Sequence, residues 1–510
     1  MAGPLSPRSG LLSSLVVAGG SGVPAFATFL AGEWVSVGDG LLDIRSPVDG
    51  SIVARVVRPS WSQVDEALER IYRRGRWEAR DTPGWKRLRI LSRMADLMAR
   101  AEDDFAEALV LTVGKTWRQA RAEVGASIER LEAAHLDLRR VAGDYIPGDW
   151  SEHTLESEAI VRREPYGVVL AVIPFNYPLF DAVNKLVYSF IPGNAVVLKP
   201  PSQSPIPAIY LARLALEAGF PGEALAVATL PGRESGRLVE DSRLSVISLT
   251  GSWRTGVEVM RRAGVKQLLM ELGGGDPAIV LRDADLEDAA DKVAMGITSY
   301  AGQRCDAIKL VVVEEDIYDE FKGILVDRLK EVRVGDPRDP ETDMGPLISE
   351  ESAKAMIEAV EEAVKAGGRV LVGGRIIKGS YVEPTLVEVL DKDALRGLRL
   401  YRDEVFAPVA LITSFKTLDE AIELANGRRF GLDAAIFGWD LARMRKLIRH
   451  LEVGAIYINE YPRHGIGYYP FGGRKDSGIG REGIGYSIEY VTAVKTIVYN
   501  YRGKGIWEYL

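Results

Sequence analysis

Cys305 is the only cysteine of the chain, and it ends the short polar loop 302–305, directly before an apolar run that predicts a strand. A lone cysteine is most often a small buried hydrophobe. Here the polar neighbours and the adjacent Arg304 favour the thiolate, which is the nucleophilic form. A single cysteine allows no internal disulfide, as expected in a reducing compartment. Cys305 is therefore the candidate nucleophile.

Glu271 is the candidate general base. It ends an apolar run, where a glutamate has no packing role, and the glycines at 273–275 let backbone or ligand approach closely. A partly desolvated carboxylate binds protons more strongly and suits the activation of water. The alternative is a surface glutamate at a strand end. A cysteine–histidine pair is less favoured, because among the four histidines only His464 lies in a comparable glycine-flanked loop.

Asn176 follows another apolar run, in the segment 173–178. Its amide can donate to a developing oxyanion together with the Cys305 backbone N–H. The alternative is a turn asparagine between prolines. The dinucleotide fingerprint Gly-x-Gly-x-x-Gly is missing, but the loop 251–256 begins with Gly251-Ser252 and opens a predicted helix whose N-terminus can hold a pyrophosphate.

The segments that must position these residues alternate between strand and helix. Apolar runs predict strands at Val168–Ile173, Ala195–Leu198, Leu225–Thr229, Val246–Leu249 and Gln267–Met270. Predicted helices near Pro178–Phe190, Pro205–Ala218, Arg233–Val239 and Thr255–Ala263 separate them. This order indicates a parallel sheet with crossover helices, which binds ligands beyond the carboxyl ends of its strands.

The rest of the chain has the same α/β character. Helical periodicity covers 61–140, and an extended segment follows at 145–161. Further predicted strands are Ile308–Val313, Val370–Val372, Val409–Ile412, Ala434–Phe437, Ala455–Ile458 and Tyr490–Tyr501, with a helix at Asp316–Val332. We expect two α/β units packed together.

Composition excludes disordered and fibrous proteins: of 510 residues, 47% are hydrophobic and 27% charged, and the net charge is −8. The acidic balance argues against nucleic acid as a partner, and four histidines leave little room for a zinc site, so no metal is expected. No apolar run reaches the ~20 residues of a membrane span. We expect a cytoplasmic protein with a loose N-terminal tail. The low content of six Asn and five Gln predicts a thermophilic source.

Taken together, these motifs resemble the aldehyde dehydrogenase superfamily over nearly the full chain. The resemblance rests on Pro174-Phe175-Asn176, Lys199-Pro200, Thr250-Gly251-Ser252, Glu271-Leu272-Gly273-Gly274, Gly302-Gln303-Arg304-Cys305, Glu404-Val405-Phe406 and Pro470-Phe471-Gly472-Gly473. It implies an NAD(P)-binding Rossmann-like domain (1–140 and 163–271), an α/β catalytic domain (272–486), and a β arm with tail (141–162 and 487–510). The arm would join subunits into a homodimer or tetramer.

The resemblance also implies a mechanism. Cys305 attacks the aldehyde carbon, Asn176 and the Cys305 N–H hold the oxyanion, and Glu271 activates the water that hydrolyses the thioester. Lys185 and Glu482 match positions that line the site in relatives.

Residues implied to contact the cofactor are Ile173, Pro174, Phe175, Lys199, Ser202, Gly251, Ser252, Glu404 and Phe406. Relatives committed to NAD commonly carry a glutamate where this chain has Ser202, and serine does not repel a 2′-phosphate. We therefore expect NADP to be accepted well and NAD to be usable. Trp253 replaces a residue that is usually small in the family.

Arginines near the predicted site mouth suggest a dianionic substrate, because the guanidinium fork matches phosphate. The alternative is that they bond loop carbonyls. The segments 143–150 and 462–469 resemble archaeal non-phosphorylating glyceraldehyde-3-phosphate dehydrogenases. That resemblance implies a phosphate site of Tyr177, Arg304, Arg463 and Arg130, with irreversible formation of 3-phosphoglycerate in glycolysis. Other open possibilities are succinic semialdehyde or lactaldehyde as substrate, a CoA-acylating relative, a catalytically dead relative, and an esterase side activity of Cys305.

Overall fold

An eight-stranded sheet organises the first half of the chain in the computed structural model, which describes residues 2–17 and 22–502. In spatial order its strands are Gly478–Ile479, Gln267–Glu271, Val246–Thr250, Val168–Val172, Ala195–Lys199, Leu225–Val227, Thr28–Leu30 and Glu33–Val35. The second to sixth are mutually parallel. Helices Phe180–Phe190, Ile206–Ala218, Gly236–Glu240 and Trp253–Arg262 connect them, which confirms the predicted alternation.

The second large sheet has seven strands. They are Arg369–Val372, Thr385–Glu388, Val409–Phe415, Ile308–Glu314, Asp276–Val280, Asp433–Phe437 and Ala455–Ile458, and all except the first run parallel. Its helices are Leu286–Thr298, Tyr318–Glu331, Glu350–Lys365, Lys392–Gly397, Arg399–Arg402, Leu418–Asn426 and Leu441–His450. Asp276–Val280 and Thr385–Glu388 were not predicted, although both are short buried apolar runs.

The helical periodicity over 61–140 is confirmed. It resolves into helices Trp61–Arg70, Arg76–Asp81, Gly84–Arg100, Glu102–Val113, Trp117–Glu132 and Ala134–Leu138, with a π-helical turn at Ile71–Gly75. Ser60 and Thr116 are the N-cap residues of the helices Trp61–Arg70 and Trp117–Glu132. The side chain of each accepts a hydrogen bond from the backbone amide of the glutamine three residues later, and that glutamine's side chain accepts one from the backbone amide of the N-cap residue.

The expectation of a loose N-terminal tail is wrong for residues 2–17. Leu5, Leu12 and Leu15 are buried in the first core, because the short helix Gly10–Ser13 lies on it. The backbone amides of Arg8 and Ser9 donate to the Asp104 carboxylate. The strands Val16–Val17, Ala25–Phe26, Ile52–Val57 and Leu41–Arg45 form a four-stranded sheet beside it.

A separate three-stranded sheet consists of Thr492–Asn500, Ser157–Pro165 and Asp144–Ile146. It corresponds to the predicted arm, and residues 503–510 of the predicted tail lie outside the described residues. The strand Gly478–Ile479 and the helix Ile488–Val491 pack with the first sheet and core, although 478–479 falls in the predicted catalytic range. In the described chain no helix combines the length and apolarity needed to cross a membrane.

Candidate active site

Asn176 follows the carboxyl end of the strand Val168–Val172, and its side chain contacts the loop that holds Cys305. Cys305 lies between a left-handed turn at 300–302 and the strand Ile308–Glu314, and its side chain is partly exposed. Asn176 Nδ2 donates to the Gln303 carbonyl oxygen at 3.1 Å. The Gln303 side chain is itself fixed, because it accepts from the Ile348 amide at 2.8 Å. Thus the loop 302–305 is held in place next to the candidate oxyanion donor.

Arg304 does not activate the thiol as the sequence led us to expect. Its Nη2 donates to Asp306 Oδ2 at 2.6 Å, so its charge is paired. Burial raises the pKa of Cys305 well above its usual range, and the negative charges of Asp306, Glu404 and Asp276 raise it further. Both effects favour the neutral thiol over the thiolate.

Glu271 is buried in the described structure, with 1% of its surface exposed and neither carboxylate oxygen hydrogen-bonded. Burial, and then the charge of Glu482, raise the pKa of Glu271 well above its usual range. A Cβ at Gly472 would lie 3.0 Å from Oε1, and the φ of +145° at this residue also favours glycine. The glycine loop therefore lets the chain close over a carboxyl with high proton affinity.

A buried polar network lies behind Glu271. Lys185 Nζ forms an ion pair with Glu482 and donates to Ser248 Oγ at 3.1 Å. Asn184 Nδ2 donates to Glu482 Oε2 at 3.2 Å. Lys185 and Glu482 thus fix each other, and the Glu482 charge reaches the site through its effect on the pKa of Glu271.

Lys199 lines a cleft beyond the carboxyl end of its strand. Its Nζ donates to the Pro200 carbonyl at 2.8 Å, and burial lowers its pKa to about 8. Thr255 and Arg262 of the helix Trp253–Arg262 line the same cleft. Ser252 begins that helix, and its side chain accepts from the Thr255 amide at 3.3 Å. A cleft between a lysine and a helix N-terminus fits the adenosine and pyrophosphate of a dinucleotide.

Glu404 and Phe406 lie on the other side of the predicted cofactor path. Glu404 Oε1 accepts from the Gly274 amide at 3.1 Å, and burial raises its pKa to about 7. The other oxygen lies where a Gly273 side chain would stand, 2.5 Å from an ideal Cβ. The rings of Phe406 and Phe175 are edge-on at 5.8 Å. This arrangement suits a ribose at the carboxylate and a flat ring near the phenyl groups.

The remaining predicted cofactor residues do not line this cleft. Ile173 and Pro174 directly follow the strand Val168–Val172, and the Ile173 amide donates to the Lys199 carbonyl at 3.0 Å. The Gly251 amide donates a hydrogen bond to the Glu271 carbonyl at 3.0 Å, so the turn predicted to bind the pyrophosphate contacts the candidate general base. Ser202 is exposed. The Trp253 ring lies 3.9 Å from the Arg429 guanidinium.

Comparison with known proteins agrees with this geometry. The aldehyde dehydrogenase family profile matches residues 34–497. The chain belongs to the aldehyde dehydrogenase family. The enzyme is accordingly an NAD(P)-dependent aldehyde dehydrogenase with the α/β fold of that family.

Three relatives illustrate the range of aldehydes. Lactaldehyde dehydrogenase of Methanocaldococcus jannaschii is 34% identical over 475 residues, covering 92% of this chain and 99% of the relative. The structure of glyceraldehyde-3-phosphate dehydrogenase GapN from the same organism, complexed with NADP, has a TM-score of 0.84 at 33% identity, covering 90% and 99%. Aldehyde dehydrogenase 21 from Physcomitrella patens, with its product succinate, has a TM-score of 0.90 at 30% identity, covering 94% and 99%.

Tyr177 lies beside the oxyanion residue of the dehydrogenase. Lys115 Nζ sits 3.7 Å from the centre of its ring and forms a buried ion pair with Glu123. Burial raises the pKa of Tyr177, so the phenol keeps its proton and can donate it. Sequence reasoning did not find Lys115 and Glu123, because nothing local in the sequence pairs them with Tyr177.

Arg304 and Arg463 of the dehydrogenase differ in burial and in the partners that their guanidinium groups already have within the protein. Arg304 Nη2 also donates to the Pro462 carbonyl at 2.7 Å. For this one arginine, the structure therefore agrees with the alternative that the arginines bond loop carbonyls. Its Nε is buried and makes no hydrogen bond within the part of the chain described. Arg463 has a side chain 61% exposed, with Glu460 at 2.8 Å. Two donors therefore stand at the loop that follows Tyr461.

Arg130 departs from its predicted role. Its side chain has no exposed surface, its Nε donates to Asn184 Oδ1 at 2.7 Å, and Nη1 lies 2.8 Å from Asp137 Oδ2. A guanidinium enclosed in this way supports the Lys185–Glu482 network, and we leave it out of the phosphate site.

The sequence also missed a cluster next to the nucleophile. His464 Nε2 lies 2.9 Å from Asp433 Oδ2 and 3.3 Å from Asp306 Oδ2. Two features of the sequence could have pointed to this cluster: His464 lies in a glycine-flanked segment, and Asp306 directly follows Cys305. Nothing in the sequence joins them to Asp433.

Proposed function

We propose that the enzyme irreversibly oxidises glyceraldehyde 3-phosphate to 3-phosphoglycerate, with NADP as the preferred cofactor and NAD as a usable one. The observation that carries the proposal is the pair of guanidinium groups near Tyr461, which lie 5.7 and 5.6 Å from the centre of its ring. One is the buried Nε of Arg304, which has no hydrogen-bond partner in the described structure, and the other is the exposed Arg463. A phosphate dianion satisfies both, because guanidinium–phosphate hydrogen bonds are charge-assisted.

Cys305 Sγ forms the bond to the aldehyde carbon after its proton has left. Asn176 Nδ2 then turns from the Gln303 carbonyl towards the new oxyanion, together with the Cys305 backbone N–H. Each such preorganised donor stabilises the tetrahedral adduct by about 3 kcal/mol. The raised pKa of Cys305 means that the thiolate forms only when a group in the site takes its proton.

NADP, when bound, supplies the hydride acceptor that turns the adduct into a thioester. Lys199 would hold its adenine ribose, the turn of Gly251 and Ser252 its pyrophosphate, and Glu404 its nicotinamide ribose. Ile173, Pro174, Phe175 and Phe406 would line its path. Ser202 carries no negative charge against a 2′-phosphate.

Glu271 is the base for the hydrolytic half. Its unpartnered oxygens can accept a proton from water, and the water oxygen then forms a bond to the thioester carbon while the Cys305 sulfur leaves. A raised pKa makes the Glu271 carboxylate a stronger base towards water than an exposed glutamate. Free carboxylic acid is released, so no acyl phosphate forms.

A second candidate substrate is a small aldehyde with one carboxylate, such as succinic semialdehyde or lactaldehyde. The ion pair of Arg304 with Asp306 favours it, since that pair leaves less positive charge for a dianion. The relatives named for lactaldehyde and complexed with succinate are consistent with this reading.

The proposal also covers the oligomeric state and the cellular location of the enzyme. The strand Thr492–Asn500 exposes Val494 and Val498, at 60% and 63%. An edge strand with exposed apolar residues favours pairing with another subunit, so we propose a homo-oligomer joined through this arm. The cytoplasm of a thermophile is the proposed setting, where glycolysis would supply the substrate.

The test compares Arg463→Ala with Arg445→Ala, an exposed arginine of the helix Leu441–His450. Loss of one charge-assisted contact of 1.5–3 kcal/mol should raise KM for glyceraldehyde 3-phosphate by about 10- to 100-fold. Succinic semialdehyde should be affected less, and Arg445→Ala should leave both KM values unchanged. An equal effect of Arg463→Ala on both substrates would favour the monoanionic candidate.

A further inference from the structure

A histidine and two aspartates from three segments of the chain converge beside the nucleophile loop. His464 lies in the irregular segment 459–470, called here the 459–470 loop. Asp433 begins a strand of the second sheet, and Asp306 directly follows Cys305. The side chains of Asp433, Asp306 and His464 are 0%, 5% and 17% exposed. These three side chains therefore form an almost enclosed cluster of nitrogen and oxygen atoms.

The potential ligand atoms of this cluster are spaced as they would be around one small ion. His464 Nε2 lies 2.9 Å from Asp433 Oδ2 and 3.3 Å from Asp306 Oδ2. One ligand atom of each residue lies within 4.8 Å of those of the other two. Ligands that bind zinc at about 2.0–2.2 Å in a tetrahedral arrangement are about 3.3–3.6 Å apart. The observed spacing therefore fits three corners of such a site after small shifts of the side chains.

Polar atoms of the cluster lack hydrogen-bond partners. Within residues 2–17 and 22–502, both oxygens of Asp433 are buried and accept no hydrogen bond, and His464 Nε2 takes part in none. Because the oxygen at 2.9 Å is not hydrogen-bonded to this nitrogen, it lies away from the direction in which an N–H bond would point. A buried carboxylate without a partner is costly, so the cluster needs a further group that binds oxygen.

The charges of the aspartates are only partly compensated. Arg304 Nη2 donates to Asp306 Oδ2 at 2.6 Å and is the cation of that aspartate. In the described part of the chain, no lysine or arginine forms an ion pair with Asp433, whose backbone amide donates to Asp276 Oδ1 at 3.1 Å. Asp276 Oδ2 is a further buried oxygen that has no hydrogen bond there. A divalent cation beside Asp433 would supply the missing positive charge.

The residues around the cluster are arranged as they are around known metal ligands. Tyr457 donates its hydroxyl proton to the Arg463 carbonyl oxygen at 3.0 Å, so its oxygen is left to accept from His464 Nδ1 at 3.2 Å. This assigns a proton to Nδ1 and leaves the lone pair of a neutral ring on Nε2. Metal-binding histidines donate their other N–H in this way, and metal-binding carboxylates are themselves hydrogen-bonded, as Asp306 is by Arg304.

We propose that Asp306, Asp433 and His464 bind one divalent cation of the zinc type, because imidazole and carboxylate ligands together suit such ions. The ion joins the 459–470 loop to the nucleophile loop and to the second sheet. The low histidine count argued against zinc in the sequence, but here carboxylates supply the other ligands. The proposal does not depend on which aldehyde the enzyme oxidises.

The first test is a calorimetric titration of Zn²⁺ into the metal-stripped full chain. It uses Cys305→Ala, because the single thiol would otherwise bind zinc itself. The titration is done at about pH 8, since metal ligands bind in their deprotonated forms. We expect one ion per subunit with a Kd below about 10 μM. A weaker Kd, or no saturable binding, would overturn the proposal.

Variants in the same background locate the ion. Asp433→Asn and His464→Gln each remove one ligand and should weaken Zn²⁺ binding at least about 100-fold. His450→Gln changes an exposed histidine of the helix Leu441–His450 and should bind Zn²⁺ like its parent. Circular dichroism establishes that each variant is folded, and His464→Gln decides the question if Asp433→Asn is not. Parent-like affinity of His464→Gln would place the ion elsewhere and overturn the site.

Two further measurements identify the ligands and the effect of the ion. X-ray absorption at the zinc edge of the 1:1 complex should show nitrogen and oxygen ligands at about 2.0–2.2 Å. Hydrogen exchange of the 459–470 loop amides should show more protection with Zn²⁺ than without it. High protection in the metal-stripped chain, unchanged by Zn²⁺, would mean that His464 and the aspartates hold the loop without an ion, which would contradict the proposal.

Discussion

Replacing Glu271 by glutamine tests the division of the reaction into two halves. The substitution keeps the shape of the side chain and removes its ability to accept a proton from water. Within residues 2–17 and 22–502, no side chain hydrogen-bonds to this carboxylate, so the exchange breaks no hydrogen bond between side chains. General-base catalysis contributes about 10²- to 10⁴-fold, or roughly 3–5 kcal/mol of activation free energy. We expect Glu271→Gln to lower kcat by that factor.

The assay is rapid mixing of enzyme, NADP and glyceraldehyde 3-phosphate, followed by absorbance of the reduced cofactor. Glu271 acts after hydride transfer, so the variant should give a fast burst of about one equivalent per site and then a slow steady rate. Glu361→Gln, an exposed glutamate variant, should show the wild-type steady rate. A steady rate of Glu271→Gln within threefold of wild type would refute the assignment, and loss of the burst would place Glu271 before hydride transfer.

The pH profile gives the sign of the effect. Glu271 acts as a carboxylate and its pKa is raised, so the wild-type hydrolytic rate should increase with pH towards that pKa and then level off. The variant should lack this increase. For stability the sign is opposite, because a group whose pKa is raised on folding favours the fold at low pH and loses that contribution as the pH rises through the folded-state pKa.

Three further predictions concern other parts of the site. One equivalent of iodoacetamide, mapped by peptide mass spectrometry to Cys305, should abolish dehydrogenase activity, and its rate should reach half-maximum above the ordinary thiol pKa of about 8.5. Full alkylation with activity intact would contradict the mechanism. Ser202→Glu should weaken NADP binding at least about tenfold in calorimetric titrations, with little change for NAD; equal effects on both would exclude a 2′-phosphate near this residue. Lys185→Met should lower the free energy of unfolding by about 3–5 kcal/mol in denaturant titrations, because Glu482 stays buried without its cation; an unchanged midpoint would show that the hydrogen bonds which Asn184 Nδ2 and the Tyr188 hydroxyl donate to the Glu482 carboxylate suffice.

The sequence was most informative where local pattern determines structure. The apolar runs that end at Val172, Lys199 and Glu271 became parallel strands, because such runs form strands buried on both faces. The family motifs at their carboxyl ends then placed Asn176 and Lys199 at the predicted edge.

Long-range pairing was beyond sequence reasoning. The environment of Cys305 is set by Asp276 and Asp433, which are 29 residues before it and 128 after it. A local reading therefore saw only Arg304 and inferred a thiolate. The predicted role of Arg130 was wrong because its burial and its hydrogen bond to Asn184, 54 residues further along the chain, do not show in the local sequence.

The most direct test of the central claim is to incubate the purified enzyme with glyceraldehyde 3-phosphate and NADP in the absence of inorganic phosphate. We predict formation of 3-phosphoglycerate and NADPH in a 1:1 ratio, with kcat/KM at least about tenfold above that for succinic semialdehyde and lactaldehyde. Turnover of glyceraldehyde 3-phosphate no faster than that of these aldehydes would contradict it.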